Sequence, residues 1–535
     1  MVITSFQFLG FILITLILYR IFPVKKQWWV LLAASVVFYL SFNVAGIFVM
    51  IGTALLTWLA GLRVQKHKDA LAAWMKDNKK TADKQTRKAK KAYYQKRQKL
   101  LVAGTVAVTV AVLFLCKYYG PLAVDLNRLL HTNMWTAENI LLPLGISYYS
   151  FQLMGYLIDV NRDIISAERN PLKVVLYGGF FLSIMQGPFN RYNDLMPQLC
   201  AQERKKLSYT DVRLALLKIT GGYIKKLCIA DQVGIVAGEV FANYSKYEGM
   251  GVLFGIVCFA IQLYADFSGY MDIIIGIGML FGIKMPDNFR QPFFSRNMSE
   301  FWKRWHITLG MWLQDYVFYP LLKSSAFKKM GKRLTSRFGK EAGRKIPTYI
   351  GMLILWTLIG AWHGAGFNFV FGVGILQFIY IFLGEICAPL FKKCKALLHI
   401  NDKKLYWHIF QSLRCTLLMM FAWVFFKAAT FNDAVGVLKK LLVVPKPSQM
   451  YFLYTENGGG VSGNWLAWLV FAVACIAALL VIDLFNEKGI CIRQRILNKS
   501  FPWRLAVVLA CVFVLLVFGA YGEQYNAANF IYLNF

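Results

Sequence analysis

Two of the six histidines sit where their chemistry would matter. His306 lies in "EFWKRWHITLGMWLQDY" (300–316), among Trp302, Lys303, Arg304, Trp305 and Asp315, and His363 lies in "LIGAWHGAGFNFVFG" (358–372). Imidazole can take and return a proton near neutrality, so either ring could serve as a general acid or base. His67 and His131 fall in basic or polar connections, and His399 and His408 flank a Lys-rich turn, where a solvated role is expected. Two further carboxylates, Asp266 and Asp272, interrupt the apolar stretch "QLYADFSGYMDI" (262–273). Nothing has the form of a Ser-His-Asp elbow, a P-loop or a dinucleotide fingerprint. The ten cysteines are scattered without a CxxC pair, which indicates neither a disulfide framework nor a zinc site, and no metal or bound cofactor is expected.

These groups are embedded in a chain of 535 residues that is 58% hydrophobic and 16% charged, with a mean hydropathy of +0.48. Runs such as "FLGFILITLILY" (8–19) and "LAWLVFAVACIAALLVI" (466–482) are continuously apolar. About 20 such residues span a hydrocarbon core of ~30 Å, and helix satisfies the backbone there. A β-barrel would alternate apolar and polar residues instead. The expectation is an all-α, polytopic membrane protein of about ten to thirteen spanning and re-entrant helices, forming a single domain over 1–535. Regular spans are expected near 3–22, 29–43, 46–62, 101–120, 347–361, 367–386, 409–427, 463–484 and 503–520. The first has neither a basic n-region nor a small-residue cleavage site, so it reads as a spanning helix and not a cleaved signal. Between 138 and 300 the apolar segments carry Gly and Pro and should be broken helices, tolerated only where protein or a watery cavity covers them.

The formal net charge of +33 raises nucleic-acid binding, but the charge is concentrated in loops, which excludes a continuous binding groove. Residues 63–99 hold fourteen Lys or Arg against three Asp, and residues 323–345 hold nine against one Glu. Smaller basic clusters lie at 204–226, 392–404 and 488–504. The positive-inside rule makes the segments at 63–99 and 323–346 cytosolic loops, and anionic lipid headgroups are their simplest partners. Attraction of a polyanionic cytosolic substrate such as a coenzyme A thioester is the functional alternative. If 323–346 is cytosolic, a helix from Pro347 to Gly360 rises only ~20 Å, short of the core's thickness. His363 would then form the floor of a depression open to the outside, and His306 would reach a similar depth unless its segment lies along the interface.

A charge at membrane depth is costly enough to suggest function, but mutual pairing is the competing explanation. Glu300 and Arg304 are i,i+4 neighbours, as are Asp266 with Tyr270 and Ser268 with Asp272. For Glu300, Lys303, Arg304 and Asp315 a structural polar network is favoured. For His363 catalysis is favoured, with Trp362, Asn368 or nearby backbone N–H groups as candidate donors to an oxyanion.

The run "QLYADFSGYMDIIIGIGMLFGIKMPDNFRQPFFSRNMSEFWKRWHITLGMWLQDYVFYPL" followed by "AWHGAG" resembles the bacterial membrane-bound O-acyltransferases, in the branch that O-acetylates alginate. "PLGISYYSFQLMGYLIDV", "QGPFNRYNDLMPQL", "GGYIKKLCIAD" and the closing "FIYLNF" extend the likeness from about 143 to the C-terminus. The resemblance implies a helical bundle around a central funnel in the bacterial cytoplasmic membrane. It places the family's near-invariant histidine on His363 and its second histidine on His306, with Trp302, Arg304, Trp305, Asp315, Trp362, Asn288 and Asp266 as candidates for the donor path. It also implies a cytosolic acetyl thioester, acetyl-CoA or an acyl carrier, as donor and an extracytoplasmic esterase-like partner that completes transfer to a polymer. D-alanyl transfer to teichoic acid is the nearest alternative. A flippase coupled through Asp266, Asp272 and Arg304, and a non-catalytic envelope scaffold, are alternatives of other classes. The Lys-rich insertion at 63–99 is not a feature of the resemblance.

Overall fold

The computed structural model describes residues 1–132, 142–203, 206–443 and 465–520, whose regular elements are all helices, joined by turns and loops, with one isolated antiparallel bridge between Phe289 and Trp305. Seven of the described helices are long and apolar enough to cross a membrane: Val44–Asp77, Lys84–Ala123, Met250–Leu280, Ser325–His363, Phe367–Ile386, Leu405–Lys427 and Phe501–Phe518. The protein is an all-α, polytopic integral membrane protein. Two helices mark the extremes of environment. In Met250–Leu280, 67% of the apolar window is buried within the protein, whereas in Phe501–Phe518 none is. An apolar helix with no buried face is stable only where its surroundings are themselves apolar, as lipid is.

The chain divides into two compact units, one of Met1–Leu207 with Ile277–Pro286 and one of Ser208–Gly276 with Asp287–Phe535. In the first, helices Phe6–Ile21, Gln27–Leu40, Val44–Asp77 and Lys84–Leu130 precede the shorter Ile146–Asn161, Pro171–Gly179 and Tyr192–Leu199. The basic stretch 63–99 is a helical hairpin: the two long helices run on past their apolar parts and turn between Asp77 and Lys84, with Asp83 accepting from the backbone N–H of Gln85 and Thr86 to start the second. The expected break in "FFLSIMQGPFNRYNDLMPQL" is present. Residues 180–191 leave the helical path, and buried side chains hold them: the Tyr177 hydroxyl donates to the Asn190 carbonyl (2.7 Å), Asn190 Nδ2 donates to Ser183 Oγ (2.8 Å) and Ser35 Oγ accepts from the Phe181 N–H (3.2 Å).

Two expectations fail in the second unit. "QLYADFSGYMDIIIGIGMLFGIKMPDNF" is broken only at its end, at Gly282 with φ 78°, and not at its earlier glycines, because Met250–Leu280 is one continuous helix. Gly269 and Gly276 serve close crossing instead: a Cβ on Gly269 would lie 2.9 Å from the Gly222 carbonyl oxygen, and one on Gly276 would lie 2.6 Å from Ile219. Small residues of this kind let helices approach where apolar side chains gain little over lipid. The stretch 323–346 is likewise not a loop. Ser325–His363 is helical on both sides of a break at Gly339, whose φ of 87° suits glycine, and it passes through Pro347 without stopping. The helix leading to His363 therefore starts before Pro347, so a rise counted from that residue does not fix the depth of the histidine.

Candidate active site

The helix carrying His363 ends on that residue, and the next two turns are shaped by glycine packing. A Cβ on Gly360 would come within 2.7 Å of the Val370 Cα, and one on Gly374 within 2.7 Å of the Trp356 carbonyl oxygen. The chain thus reverses through "GAG" and returns along the face it has just made, with π-helical turns at Val370–Ile375. The small residues around His363 accommodate backbone. His363 is buried, with its ring edge-on to Phe426 at 5.5 Å and to its neighbour Trp362 at 4.8 Å between centroids.

His306 arrives differently. It sits between two seven-residue helices, Met298–Arg304 and Ile307–Leu313, in the left-handed conformation (φ 48°, ψ 48°). That backbone is unusual for a side chain with a Cβ and persists only when its surroundings over-determine it. Asn288 supplies that constraint. Its carbonyl accepts from the Ile307 N–H (3.1 Å), and its side-chain Oδ1 accepts from both the backbone N–H (2.9 Å) and the hydroxyl (2.7 Å) of Thr308. The Phe289–Trp305 bridge and the Arg290 N–H donating to the Arg304 carbonyl (2.9 Å) continue the staple on the other side of the histidine. The ring of His306 is edge-on to Phe267 (4.9 Å) and to Trp362 (6.1 Å), and burial pushes its pKa down to about 3, so it is neutral at working pH.

Trp362 consequently touches both imidazoles, which joins two sequence motifs 57 positions apart into one buried, aromatic-walled site. Phe267 and Phe426 complete the walls. Neither stands out in sequence, since an aromatic in an apolar helix has no mark distinguishing a site wall from core.

The other expected site residues separate into supports and outsiders. Trp302 donates through Nε1 to Gln377 Oε1 (3.1 Å) and packs on Trp356, while Trp305 is buried among Phe289, Phe301 and Trp423. Arg304 pairs with Glu300 (2.7 Å), as the spacing predicts, and also with Glu487 (2.6 Å), a partner 183 residues away. Lys303 and Asp315 are exposed and are not part of the buried cluster. Asn368, a candidate oxyanion donor, has its amide committed elsewhere: Nδ2 donates to the carbonyls of Phe425 (3.2 Å) and Ala428 (2.9 Å), tying down the end of Leu405–Lys427.

Asp272 is not settled by Ser268, as the i,i+4 spacing suggests, and Asp266 has a partner beyond its own helix. Where Gly222 meets Gly269, helix Tyr209–Tyr223 passes into π-helical turns at Ile224–Ala230, and two successive lysines leave in different directions. Lys226 reaches Asp266 and Asp231, both at 2.7 Å, while Lys225 reaches Asp272 at 2.9 Å. Burial works against the charge on Lys226, but the two carboxylates outweigh it and raise its pKa. The signal for this network was a Lys-Lys pair followed by an acid inside the apolar "GGYIKKLCIAD". Among the described residues no group of His, Cys, Asp and Glu is arranged to hold a metal ion.

Residues 93–338 match the family model of the membrane-bound O-acyltransferases. Over that stretch, 246 of the chain's 535 residues, the chain is similar to that family. His306 and its staple lie within the matched stretch, and His363 follows it. The chain is 28% identical over 395 residues to the probable alginate O-acetylase AlgI of Pseudomonas syringae pv. tomato, covering 73% of this chain and 69% of that protein. It is 26% identical over 445 residues to the peptidoglycan O-acetyltransferase of Helicobacter pylori, covering 78% and 74%, and 30% identical over 279 residues to the teichoic acid D-alanyltransferase of Bacillus subtilis, covering 51% and 65%. Two further alginate O-acetylase relatives are spanned over less than two thirds of their length. The protein is an acyltransferase of the membrane.

Proposed function

We propose that this acyltransferase resides in a bacterial cytoplasmic membrane and moves an acetyl group from a cytosolic thioester, acetyl-CoA or an acyl-carrier thioester, to hydroxyls of an extracytoplasmic envelope polymer. The observation that carries the reading is the buried pair of imidazoles meeting on Trp362. His363 takes the proton of the acceptor hydroxyl as its oxygen bonds to the acyl carbon; the C–S bond breaks, and the imidazolium returns the proton to the leaving thiolate. His306, neutral and held by the Asn288 staple, lines the acyl path and can hydrogen-bond to the reacting group. The acceptor is either the polymer or a separate esterase-like protein that passes the group on.

The test is ester-linked acetate released by mild base from the envelope polysaccharides of a native host, comparing wild type with His363→Ala at matched membrane abundance. Loss of acetate from one polymer supports the reading and names the acceptor; unchanged acetate in every polymer sinks it. D-alanyl transfer is the second reading, favoured by the likeness to the Bacillus subtilis protein, and release of D-alanine in the same assay distinguishes it.

A further inference from the structure

The segment 488–504 carries five Lys or Arg and no acid. Its short helix, Ile492–Leu497, links the apolar helices Trp465–Glu487 and Phe501–Phe518. Arg493 on that helix is drawn inward, to Asp272 at 3.0 Å. Two residues along a helix is a rotation of about 200°, so Arg495 leaves on the opposite face, and both it and Lys499 are exposed. Among the described residues neither has a carboxylate partner: the nearest acids in sequence, Asp483 and Glu487, are engaged with Tyr264 and Arg304.

At the same place lies an open cleft of about 310 Å³. Phe485, Ile492, Ile496 and Val507 form its apolar walls, and the stems of Arg495 and Lys499 continue them. Long basic side chains lay their methylenes along apolar surface in this way and keep the charge in water. Trp503, in the first turn of Phe501–Phe518, also lines the cleft and is 66% exposed. An indole at the end of a lipid-facing helix marks the membrane–water boundary, and none of that helix's apolar window is buried in the protein.

An apolar cleft on a lipid-facing helix is filled by acyl chains, and two unpaired cations at its mouth select the charge of the headgroup. A zwitterionic lipid brings its own cation toward Arg495 and Lys499, whereas an anionic phospholipid brings its phosphate without one. The positive-inside rule accounts for basic residues on this side of the membrane, but it does not ask for an apolar cleft beside them.

We propose that this cleft is a site for one anionic phospholipid, whose phosphate is held by Arg495 and Lys499 and whose acyl chain lies against Ile492, Ile496 and Val507. The acyl-transfer reading is not needed for it. Lipid on the outer face of Ile492–Leu497 holds the helix that brings Arg493 to Asp272, so occupancy stabilises the fold.

The full chain is placed in phosphatidylcholine nanodiscs in which phosphatidylglycerol replaces a rising fraction. Melting temperature is followed, and lipids retained on the protein are counted by native mass spectrometry. Wild type shows a saturable rise in melting temperature and retains one phosphatidylglycerol in preference to phosphatidylcholine. Arg495→Gln and Lys499→Gln each weaken that binding about fivefold, yet melt like wild type in phosphatidylcholine alone. Arg495→Lys, which keeps the charge, retains most of the effect. Val507→Trp fills the cleft with both cations intact and abolishes the retained lipid. Lys392→Gln combined with Lys393→Gln, a loss of charge in another basic cluster, changes neither readout. If that double variant matters as much as Arg495 and Lys499, the attraction is diffuse and the site is overturned. Retention of the lipid by Val507→Trp, or unchanged binding in both single glutamine variants, overturns it as well.

Discussion

The two histidines of the site are held by opposite means. His306 is fixed by hydrogen bonds, in a left-handed conformation between two short helices, with Asn288 bonded to both residues that follow it. His363 is fixed by steric closeness, at the end of a long helix whose glycines let the next segment lie against it. A polar staple can be loosened one bond at a time, whereas a packed reversal tolerates almost nothing at its contact points. The two halves of one reaction chamber should therefore fail in different ways.

Replacing the chemistry itself should have the largest effect. His363→Ala is expected to lower acyl transfer by at least ~10²-fold, with expression and melting temperature close to wild type; a variant that retains most of its transfer rate would remove His363 from the reaction. Next comes Gly360→Val, whose Cβ would meet backbone at 2.7 Å. Overpacking of this kind costs about 1–3 kcal/mol, so it should appear as a lowered melting temperature together with lost activity. On the stapled side, Asn288→Ala removes two acceptor contacts to Thr308 and should mainly lower kcat. Asn288→Asp keeps the acceptor oxygens and should restore most of it; failure of that rescue would mean that Asn288 does more than position the loop. Thr308→Val loses one of those bonds while keeping the backbone contact, for about 1 kcal/mol, measurable as a small fall in thermal stability.

The pH response sharpens the contrast further. Because burial holds the pKa of His306 near 3, below its ordinary value of ~6.5, the unfolded chain binds this proton and the folded chain does not. Stability contributed by the neutral ring is thus present above ~6.5 and lost as pH falls, with a slope of up to ~1.4 kcal/mol per unit. His306→Gln should flatten the decline in melting temperature between pH 7 and pH 5. It should leave the position of any acid limb in kcat within that window unchanged, since a ring that is neutral throughout cannot produce it.

How far sequence reaches follows from the same contrast. The spans were legible because lipid demands continuous apolar runs, and Phe367–Ile386 falls where the pattern puts it. His306 and His363 were legible because imidazole is rare in such runs. What could not be read was partnership at a distance: Asp266 with Lys226, Asp272 with three cations, and Asn368 spent on backbone carbonyls all depend on where helices cross. The i,i+4 rule found Glu300 with Arg304 and missed Glu487 for the same reason. Glycines were misread as breaks in Met250–Leu280 because a sequence does not say whether a missing side chain bends a helix or admits a neighbour. The motif "FIYLNF" and part of the expected span 463–484 lie outside the described residues.

The pairing of Arg304 with Glu487 has a consequence for how the protein is made. Arg493 closes the cluster on Asp272, and Asp483 accepts from the Tyr264 hydroxyl at 2.7 Å. Three polar groups of the middle of the chain thus wait for partners between 483 and 493, which leave the ribosome well over a hundred residues later. Until then Arg304 pairs with Glu300 alone, Asp272 with Lys218 and Lys225, and the Tyr264 hydroxyl waits for its acceptor. A chain cut short before residue 480 would keep both histidines but lose the three tethers that Asp483, Glu487 and Arg493 supply.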